Sequence, residues 1–193
     1  TNNQLTIASG DLSSALGSHR IDSNVLLGGE AAWSIPSGRL SVYGSVNSTT
    51  GNAFGIDKTG AGALEFLNQG ATNSLKNYLH QAGSTEFFEG TYTLTSTSFD
   101  AFSAMYMAEG TVTVSHRAKV IGTSGGNLVL QSGGAGSSNL IIRDEQTEVA
   151  TFGQIFMGAS GTSGNSLTVT KEAKIRDIGL FVAGFNGSAN VTV

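Results

Sequence analysis

The chain of 193 residues contains no cysteine and a single proline, Pro36. Without cysteine, neither a disulfide framework nor a thiolate metal site can form. Charged residues make up only 12% of the chain, against about a quarter in ordinary domains. The formal net charge is −4, whereas a nucleic-acid-binding domain normally carries a basic surface. These shortages exclude disulfide-stapled classes, and we expect no nucleic-acid partner.

Long apolar runs and an export signal are also missing. No stretch approaches the roughly 18 consecutive apolar residues of a membrane-spanning helix. The opening residues, TNNQLTIASG, lack the basic and apolar regions of a signal peptide. Strand-like segments, QLTI and ANVTV, stand at the two ends. We therefore expect residues 1–193 to be one segment of a longer protein.

Glycine is abundant, with 27 residues, and Ser, Thr, Asn and Ala make up much of the remainder. Gly, Ser, Thr and Asn are poor helix formers, while 39% of the chain is still apolar. This combination predicts many short strands joined by glycine turns.

A short pattern recurs in the second half of the chain: apolar and small residues alternate, a charged group follows, and an apolar residue closes the unit. It reads TVTVSHRAKV at 111–120, NLIIRDEQTEV at 139–149 and SLTVTKEAKI at 166–175. Three apolar markers repeat together about every 24 to 28 residues. The markers are Val112, Leu140, Leu167 and Val191; Val120, Val149 and Ile175; and the runs LVL at 128, IFM at 155 and LFV at 180.

Such short strands bury a core only if each pairs in parallel with its equivalent one repeat later. We therefore predict an all-β, right-handed parallel β-helix of the pectin-lyase-like kind, with one domain over 1–193. Leu75, Tyr78 and Leu79 have helix-like spacing, which predicts a helical or irregular insertion at 67–82. An up-and-down barrel or a sandwich is the alternative, and it requires antiparallel hairpins.

The charged part of the pattern predicts two stacked columns. Alignment of the repeats places His116 on Asp144 on Lys171, and Lys119 on Glu148 on Lys174. Alternating signs would avoid the like-charge contacts that in-register stacking otherwise imposes. We interpret these columns as register devices rather than as catalytic groups.

Candidate chemistry is sparse. Three histidines, His19, His80 and His116, lack metal-ligand spacing, and we expect each at the surface or in a turn. Two glutamate pairs lie about one coil apart, as polysaccharide hydrolysis by two carboxylates would need; they are Glu65 with Glu89 and Glu86 with Glu109. No dense cluster of acidic and basic residues accompanies them. We therefore predict no enzyme activity, no metal and no cofactor.

The sharpest binding candidates are apolar. Strand alternation would turn Ile155, Met157, Leu180 and Val182 inward. Phe156 and Phe181 would then face outward, beside Val129 and Tyr106. An exposed apolar column could stack on sugar rings or pack on another molecule. The candidate ligand- or partner-binding residues are Tyr106, Phe156 and Phe181.

Residues 58–94 carry a family resemblance. KTGAGALEF, followed by GSTEFFEGTYTL, resembles the autotransporter-associated β-strand repeat, of the form K-x-G-x-G-x-L-x-L and then G-x-T-x-V-x-x-G-x-L. Ten positions carry the resemblance; they are Lys58, Gly60, Gly62, Leu64, Phe66, Gly83, Thr85, Phe87, Gly90 and Tyr92, the last of which replaces the family's Leu.

The resemblance implies an extracellular or cell-surface passenger segment, exported through an outer-membrane barrel that lies outside this chain. Any membrane attachment would run through that barrel. The expected role is that of a stalk or adhesin, with a host or bacterial surface glycan or protein as partner, or self-association. The alternatives are a β-helix polysaccharide lyase or hydrolase, and a tail-spike-like glycan-binding solenoid.

Overall fold

The computed structural model of the chain describes residues 3–8, 11–49, 53–97, 103–131, 136–158, 164–184 and 188–193. These ranges consist of strands, turns and bends, and they contain no helix. In chain order the strands are β1 (Gln4–Ile7), β2 (Leu12–Ser13), β3 (Ser18–Ile21), β4 (Asn24–Leu27), β5 (Ala31–Ser34), β6 (Arg39–Val42), β7 (Val46–Ser48), β8 (Ile56–Thr59), β9 (Ala63–Phe66), β10 (Thr72–Leu75), β11 (Tyr78–His80), β12 (Ser84–Phe88), β13 (Thr91–Leu94), β14 (Met105–Met107), β15 (Gly110–Ser115), β16 (Lys119–Ile121), β17 (Asn127–Leu130), β18 (Ser138–Arg143), β19 (Glu148–Ala150), β20 (Gln154–Met157), β21 (Asn165–Thr170), β22 (Lys174–Arg176), β23 (Leu180–Ala183) and β24 (Ala189–Thr192).

These strands form three eight-stranded parallel sheets, in which each strand pairs with the strand three later in the chain. The first sheet runs from β1 through β4 to β22, the second from β2 through β5 to β23, and the third from β3 through β6 to β24. One turn takes about 25 residues, as in the offset between Ala31 and Ile56. The predicted parallel β-helix is confirmed as a three-sheet β-solenoid, because a barrel or sandwich would require antiparallel pairs.

The register follows the repeat in its first two marker sets. Val112, Leu140, Leu167 and Val191 stand opposite one another along the third sheet. Val120, Val149 and Ile175 do so along the first sheet. A solenoid must rebuild its core at every turn, which explains why the apolar pattern recurs.

Residues 67–82, predicted as a helical or irregular insertion, contain no helix, and two regular strands of the solenoid lie within them. Strands β10 and β11 occupy Thr72–Leu75 and Tyr78–His80, and a turn at 67–71 precedes them. Leu75 and Tyr78 are both buried, but they belong to different sheets on either side of the corner at Lys76 and Asn77. A three-residue spacing across a corner therefore imitates the spacing of a helix face.

Five large buried rings form a cluster in the core of the first half of the solenoid. Phe66 lies at their centre and stacks on Phe87, with ring centroids 5.2 Å apart. In-register pairing of the same two residues in β9 and β12 brings these rings together. The rings of the cluster are Trp33, Phe66, Tyr78, Phe87 and Tyr92.

The turns between the third and first sheets carry the first predicted charge column. Asp144 lies 3.4 Å from His116 Nδ1 in the preceding turn and 3.3 Å from Lys171 Nζ in the following one. Partial burial works to raise the pKa of Asp144, but the hydrogen bonds from Lys171 and the His116 amide, together with their charges, hold it below its usual value. The column His116–Asp144–Lys171 is confirmed.

The second column is confirmed in register, since Lys119, Glu148 and Lys174 are opposite one another. The ion pair of Glu148, however, is made with Arg176, two residues further along β22. These pairs are partly exposed, so each is worth less than about 1 kcal/mol. Their contribution is to disfavour a shifted register rather than to hold the fold.

We expect Phe66→Ala to lower the free energy of unfolding by about 3–5 kcal/mol, because it opens a cavity at the centre of the ring cluster. Phe181→Ala is the matched control, since that ring is 41% exposed, and it should cost less than about 1 kcal/mol. Guanidinium unfolding followed by far-UV circular dichroism measures both values. Equal costs for the two variants would contradict the proposed centre of the core.

Candidate functional site

The outward side of the second sheet carries an apolar row. Tyr106, Val129, Phe156 and Val182 stand opposite one another in β14, β17, β20 and β23. Ile155 and Met157 are buried on the other side of β20, so the predicted outward positions of Tyr106 and Phe156 are confirmed. We call these four residues the outer row.

The outer row is only partly open to solvent. Val129 is 4% exposed although it faces outward, and Tyr106 and Phe156 on either side of it are half-buried. Burial raises the pKa of the Tyr106 hydroxyl. The accessible part of the row is therefore limited to the exposed portions of Tyr106 and Phe156.

Phe181 does not belong to this row, and its predicted outward position is wrong. It stands opposite Ile155 in the inward column, and Leu180 and Val182 face outward instead. Because β23 is the last strand of its sheet, this inward ring is still 41% exposed. Alignment of LFV with IFM shifted the strand by one residue, and such a shift exchanges the two faces. Two glycines give the correct alignment, since Gly179 follows Gly153 and Gly184 follows Gly158 by the same interval.

A second apolar patch lies on the outward side of the third sheet, and the sequence reasoning missed it. Tyr43, Leu67 and Phe88 each follow a core residue in register, namely Val42, Phe66 and Phe87. They line an open groove of about 510 Å³ together with Gln69. The sequence pattern that could have revealed this patch is an apolar residue directly after the last core residue of a strand, repeated in three successive turns. We call Tyr43, Leu67 and Phe88 the aromatic slot.

A guanidinium and an imidazole ring back the two rings of the slot. The guanidinium of Arg20 lies 3.9 Å from the Tyr43 ring centroid. The ring of His116 stacks on Phe88 at 4.0 Å, with 24° between the planes. Arg20 comes from the turn before Tyr43, and His116 from the turn after Phe88. Both backing groups therefore lie on the outer sides of the slot and leave its inner faces toward Leu67.

A carboxylate row runs beside the slot. Glu65 and Glu86 stand directly opposite each other in β9 and β12, in place of the pairings of Glu65 with Glu89 and Glu86 with Glu109 that the sequence suggested. The sequence pairings assumed a turn of 23 or 24 residues, whereas this turn has 21. Neighbouring parallel strands are about 4.8 Å apart, so the two carboxylates are neighbours.

Each carboxylate has partners. Glu65 accepts a hydrogen bond from the Ser41 hydroxyl at 2.9 Å and pairs with Arg39 at 3.0 Å. Glu86 accepts a bond from the Ser115 hydroxyl at 2.7 Å. Its second contact is with Arg143 at 3.2 Å. Both contacts of Glu86 use Oε1, so Oε2 is the oxygen best placed to accept a bond from a ligand.

Lys58 of the KTGAGALEF motif is buried inside a corner of the solenoid. Its ammonium donates to the carbonyls of Gly60, Gly62 and Ala82 at 2.6, 2.7 and 2.5 Å. Burial lowers the pKa of Lys58 to about 8, so at neutral pH the three N–H groups are present and each has an acceptor. Ala82 lies in the next turn, so Lys58 ties two successive corners together.

The two halves of the motif are stacked neighbours. Leu64 and Phe66 of the first half stand opposite Thr85 and Phe87 of the second. Gly60 has a φ of +81°, and a Cβ there would lie 2.4 Å from the Ile35 carbonyl oxygen. The spacing of lysine and glycine in the motif thus meets the requirements of one tight corner filled by one cation.

His80 is fully buried, which corrects the expectation of a surface or turn position. It belongs to a chain of hydrogen bonds in which Tyr78 contacts Thr85 at 2.5 Å and Thr85 contacts His80 Nδ1 at 3.1 Å. Nε2 lies 3.3 Å from the Gly83 carbonyl oxygen and must donate to it. Thr85 therefore donates to Nδ1, and Tyr78 donates to Thr85.

Burial, followed by the positive charge of Lys58, lowers the pKa of His80 to about 4. Burial also raises the pKa of the Tyr78 and Tyr92 hydroxyls. These groups are uncharged at neutral pH and are all buried, His80 and Tyr78 at the corner beside Lys58 and Tyr92 beside Asn68. We interpret the cluster as structural.

Lys58→Met should lower the free energy of unfolding by about 2–4 kcal/mol, because it leaves buried carbonyls without their donor. Lys76→Met is the matched control. Lys76 makes a partly exposed ion pair with Glu30, and its loss should cost less than about 1 kcal/mol. Chemical denaturation at pH 7 measures the difference, and a Lys58→Met variant as stable as the control would refute the corner role.

Stability should also fall as the pH falls from about 6.5 to about 4. The unfolded state takes up a proton on His80 near pH 6.5, while the folded state holds this ring neutral to about pH 4. The unfolded state therefore binds more protons in this interval, which costs the fold up to about 3 kcal/mol.

His80→Gln should remove that part of the acid dependence and retain the contribution of Asp57, a neighbouring carboxyl whose pKa is raised by burial. The measurement is the free energy of unfolding of both proteins at a series of pH values. Identical acid slopes for the two proteins would show that His80 titrates normally.

The described parts of the chain contain no cluster of three or more His, Asp or Glu side chains suited to holding a metal ion. None of their segments is an apolar helix long enough to span a bilayer. Comparison of the chain with protein-family models, with curated proteins and with solved structures finds no match.

Proposed function

We propose that this chain is a non-enzymatic attachment segment of an extracellular or cell-surface protein, as its resemblance to autotransporter passengers implies. The observation that carries the proposal is the outer row, in which the partly exposed rings of Tyr106 and Phe156 stand in register on either side of the buried Val129. A row of this kind suits contact with an extended surface better than capture of one small molecule.

The solenoid itself supports a role at a distance from an anchor. Each of its sheets contains eight stacked strands, which span about 34 Å at the usual strand spacing. Sheets of this length present rows of side chains rather than a single cleft. A surface protein or glycan, or a second copy of the chain, is the proposed partner.

A polysaccharide-active enzyme is the second candidate, and the in-register pair Glu65 and Glu86 favours it. Glycosidases that retain configuration use two carboxyls about 5 Å apart. Here, however, each carboxylate accepts a hydrogen bond from a serine hydroxyl and forms an ion pair with an arginine. Two carboxylates in equivalent environments do not supply the distinct acid and nucleophile of that mechanism, so we retain the non-enzymatic proposal.

The test is attachment of the fluorescently labelled chain to cultured mammalian cells, to bacterial cells and to a surface coated with the unlabelled chain. We expect Tyr106→Ser combined with Phe156→Ser to lower attachment at least about fivefold, because two aromatic anchors are lost. Phe181→Ser is the matched control, since Phe181 lies outside the outer row, and it should attach as the unchanged chain does.

A parallel assay for reducing ends separates the two candidates. The chain should release none from a panel of neutral and acidic polysaccharides. Release that disappears in Glu86→Gln would replace the attachment role with an enzymatic one. Absence of attachment to all three surfaces would also overturn the proposal.

A further inference from the structure

The strand register sets the backbone separation across the aromatic slot. Tyr43 and Phe88 are separated by the turn that carries Leu67, so their backbones are two strand spacings apart, or about 9.6 Å. A guest that touches both rings needs about 7–8 Å between them, because carbon atoms make contact at about 3.5–4.0 Å. The remaining gap of roughly 2 Å suits a puckered ring better than a flat one.

One face of each ring is held by a neighbouring side chain. Arg20 and His116 cover the outer faces of Tyr43 and Phe88, and the groove between the rings is open to solvent. The face of an aromatic ring is electron-rich and attracts partially positive hydrogens. The C–H bonds on the two sides of a pyranose ring present such hydrogens.

Polar groups lie where the hydroxyls of a sugar in the slot would project. Glu65 is two residues before Leu67 on the same outward side, and Glu86 is two before Phe88, which places the carboxylate row about 6.6 Å from the slot. A carboxylate has about four lone-pair sites. Ser115 and Arg143 both donate to Oε1 of Glu86, so a sugar hydroxyl would donate to Oε2. Gln69 adds an amide at the rim of the groove.

The charges favour a neutral sugar. The three nearby arginines are already paired, Arg20 with Asp22, Arg39 with Glu65 and Arg143 with Glu86. An acidic sugar would bring its carboxylate beside Glu65 and Glu86 and would have to break one of these pairs. The hydroxyls of a neutral hexose, in contrast, can donate hydrogen bonds to these carboxylates without breaking an ion pair.

We propose that the aromatic slot binds one pyranose ring of a neutral glycan. The sugar ring lies between Tyr43 and Phe88 and above Leu67, and Glu86 accepts a hydrogen bond from one of its hydroxyls. The proposal extends the attachment role and rests on the non-enzymatic character proposed for the chain. It concerns the third sheet, whereas the outer row lies on the second.

The experiment is titration of the isotope-labelled chain with cellohexaose, mannohexaose and a neutral galactan hexasaccharide, observed by NMR, with trigalacturonate as the acidic comparison. We expect saturable shifts of the Tyr43 and Phe88 rings and the Leu67 methyls for at least one neutral hexasaccharide, and none for trigalacturonate. Shifts confined to other residues, no saturable response to any neutral sugar, or preference for trigalacturonate would overturn the proposal.

Variants test the sandwich directly. Tyr43→Ala and Phe88→Ala should each weaken binding about tenfold in calorimetry, while Tyr43→Phe retains the ring and should bind as the unchanged chain does. Phe181→Ala is the control for loss of an exposed ring elsewhere. Circular dichroism confirms that each variant is folded, and equal weakening by Phe181→Ala would overturn the assignment.

The two proposals fail separately. If the chain attaches through the outer row but binds no oligosaccharide, only the proposal for the slot is overturned. Oligosaccharide binding by a chain that attaches to no surface supports the slot and overturns only the attachment role. Cleavage of the bound hexasaccharide would overturn the non-enzymatic basis of both.

Discussion

Parallel backbone pairing between successive turns is the constraint on which the rest of this molecule depends. Each strand bonds to the strand one turn later, so a residue is always placed beside its equivalent. Apolar equivalents then make a continuous core, as the column from Val112 to Val191 does. The same rule acts on the outside, where it turns single residues of separate turns into rows. The outer row and the aromatic slot are consequences of pairing that first serves the core.

The corners carry the cost of this arrangement, because backbone groups that leave the ladder still need partners. Lys58 meets that need for three carbonyls at once and reaches into the next turn to do so. His80 and Thr85 satisfy neighbouring groups in the same corner. A lysine, usually a surface residue, thus becomes part of the interior where the sheet bends.

The sequence was sufficient to predict the fold class and most of the register, because apolar spacing reports directly on a repeating core. The apolar spacing gave the wrong register where the number of residues in a turn was ambiguous. LFV and IFM are equally apolar with a one-residue shift, so Phe181 was assigned to the wrong face. The aromatic slot required knowledge of which turns are 21 and which 24 residues long. Burial of His80 depends on a corner that no local pattern describes.

The slot also has a consequence for how such a chain could diverge. Its walls and its floor come from three consecutive turns, one residue from each. Duplication or loss of a whole turn by recombination would change the distance between the walls by one strand spacing, about 4.8 Å, and leave the core pattern intact. The size of ligand that a face of this kind accepts therefore depends on the number of turns between its walls. Gain or loss of a turn could change that size in discrete steps without any substitution of the contacting residues.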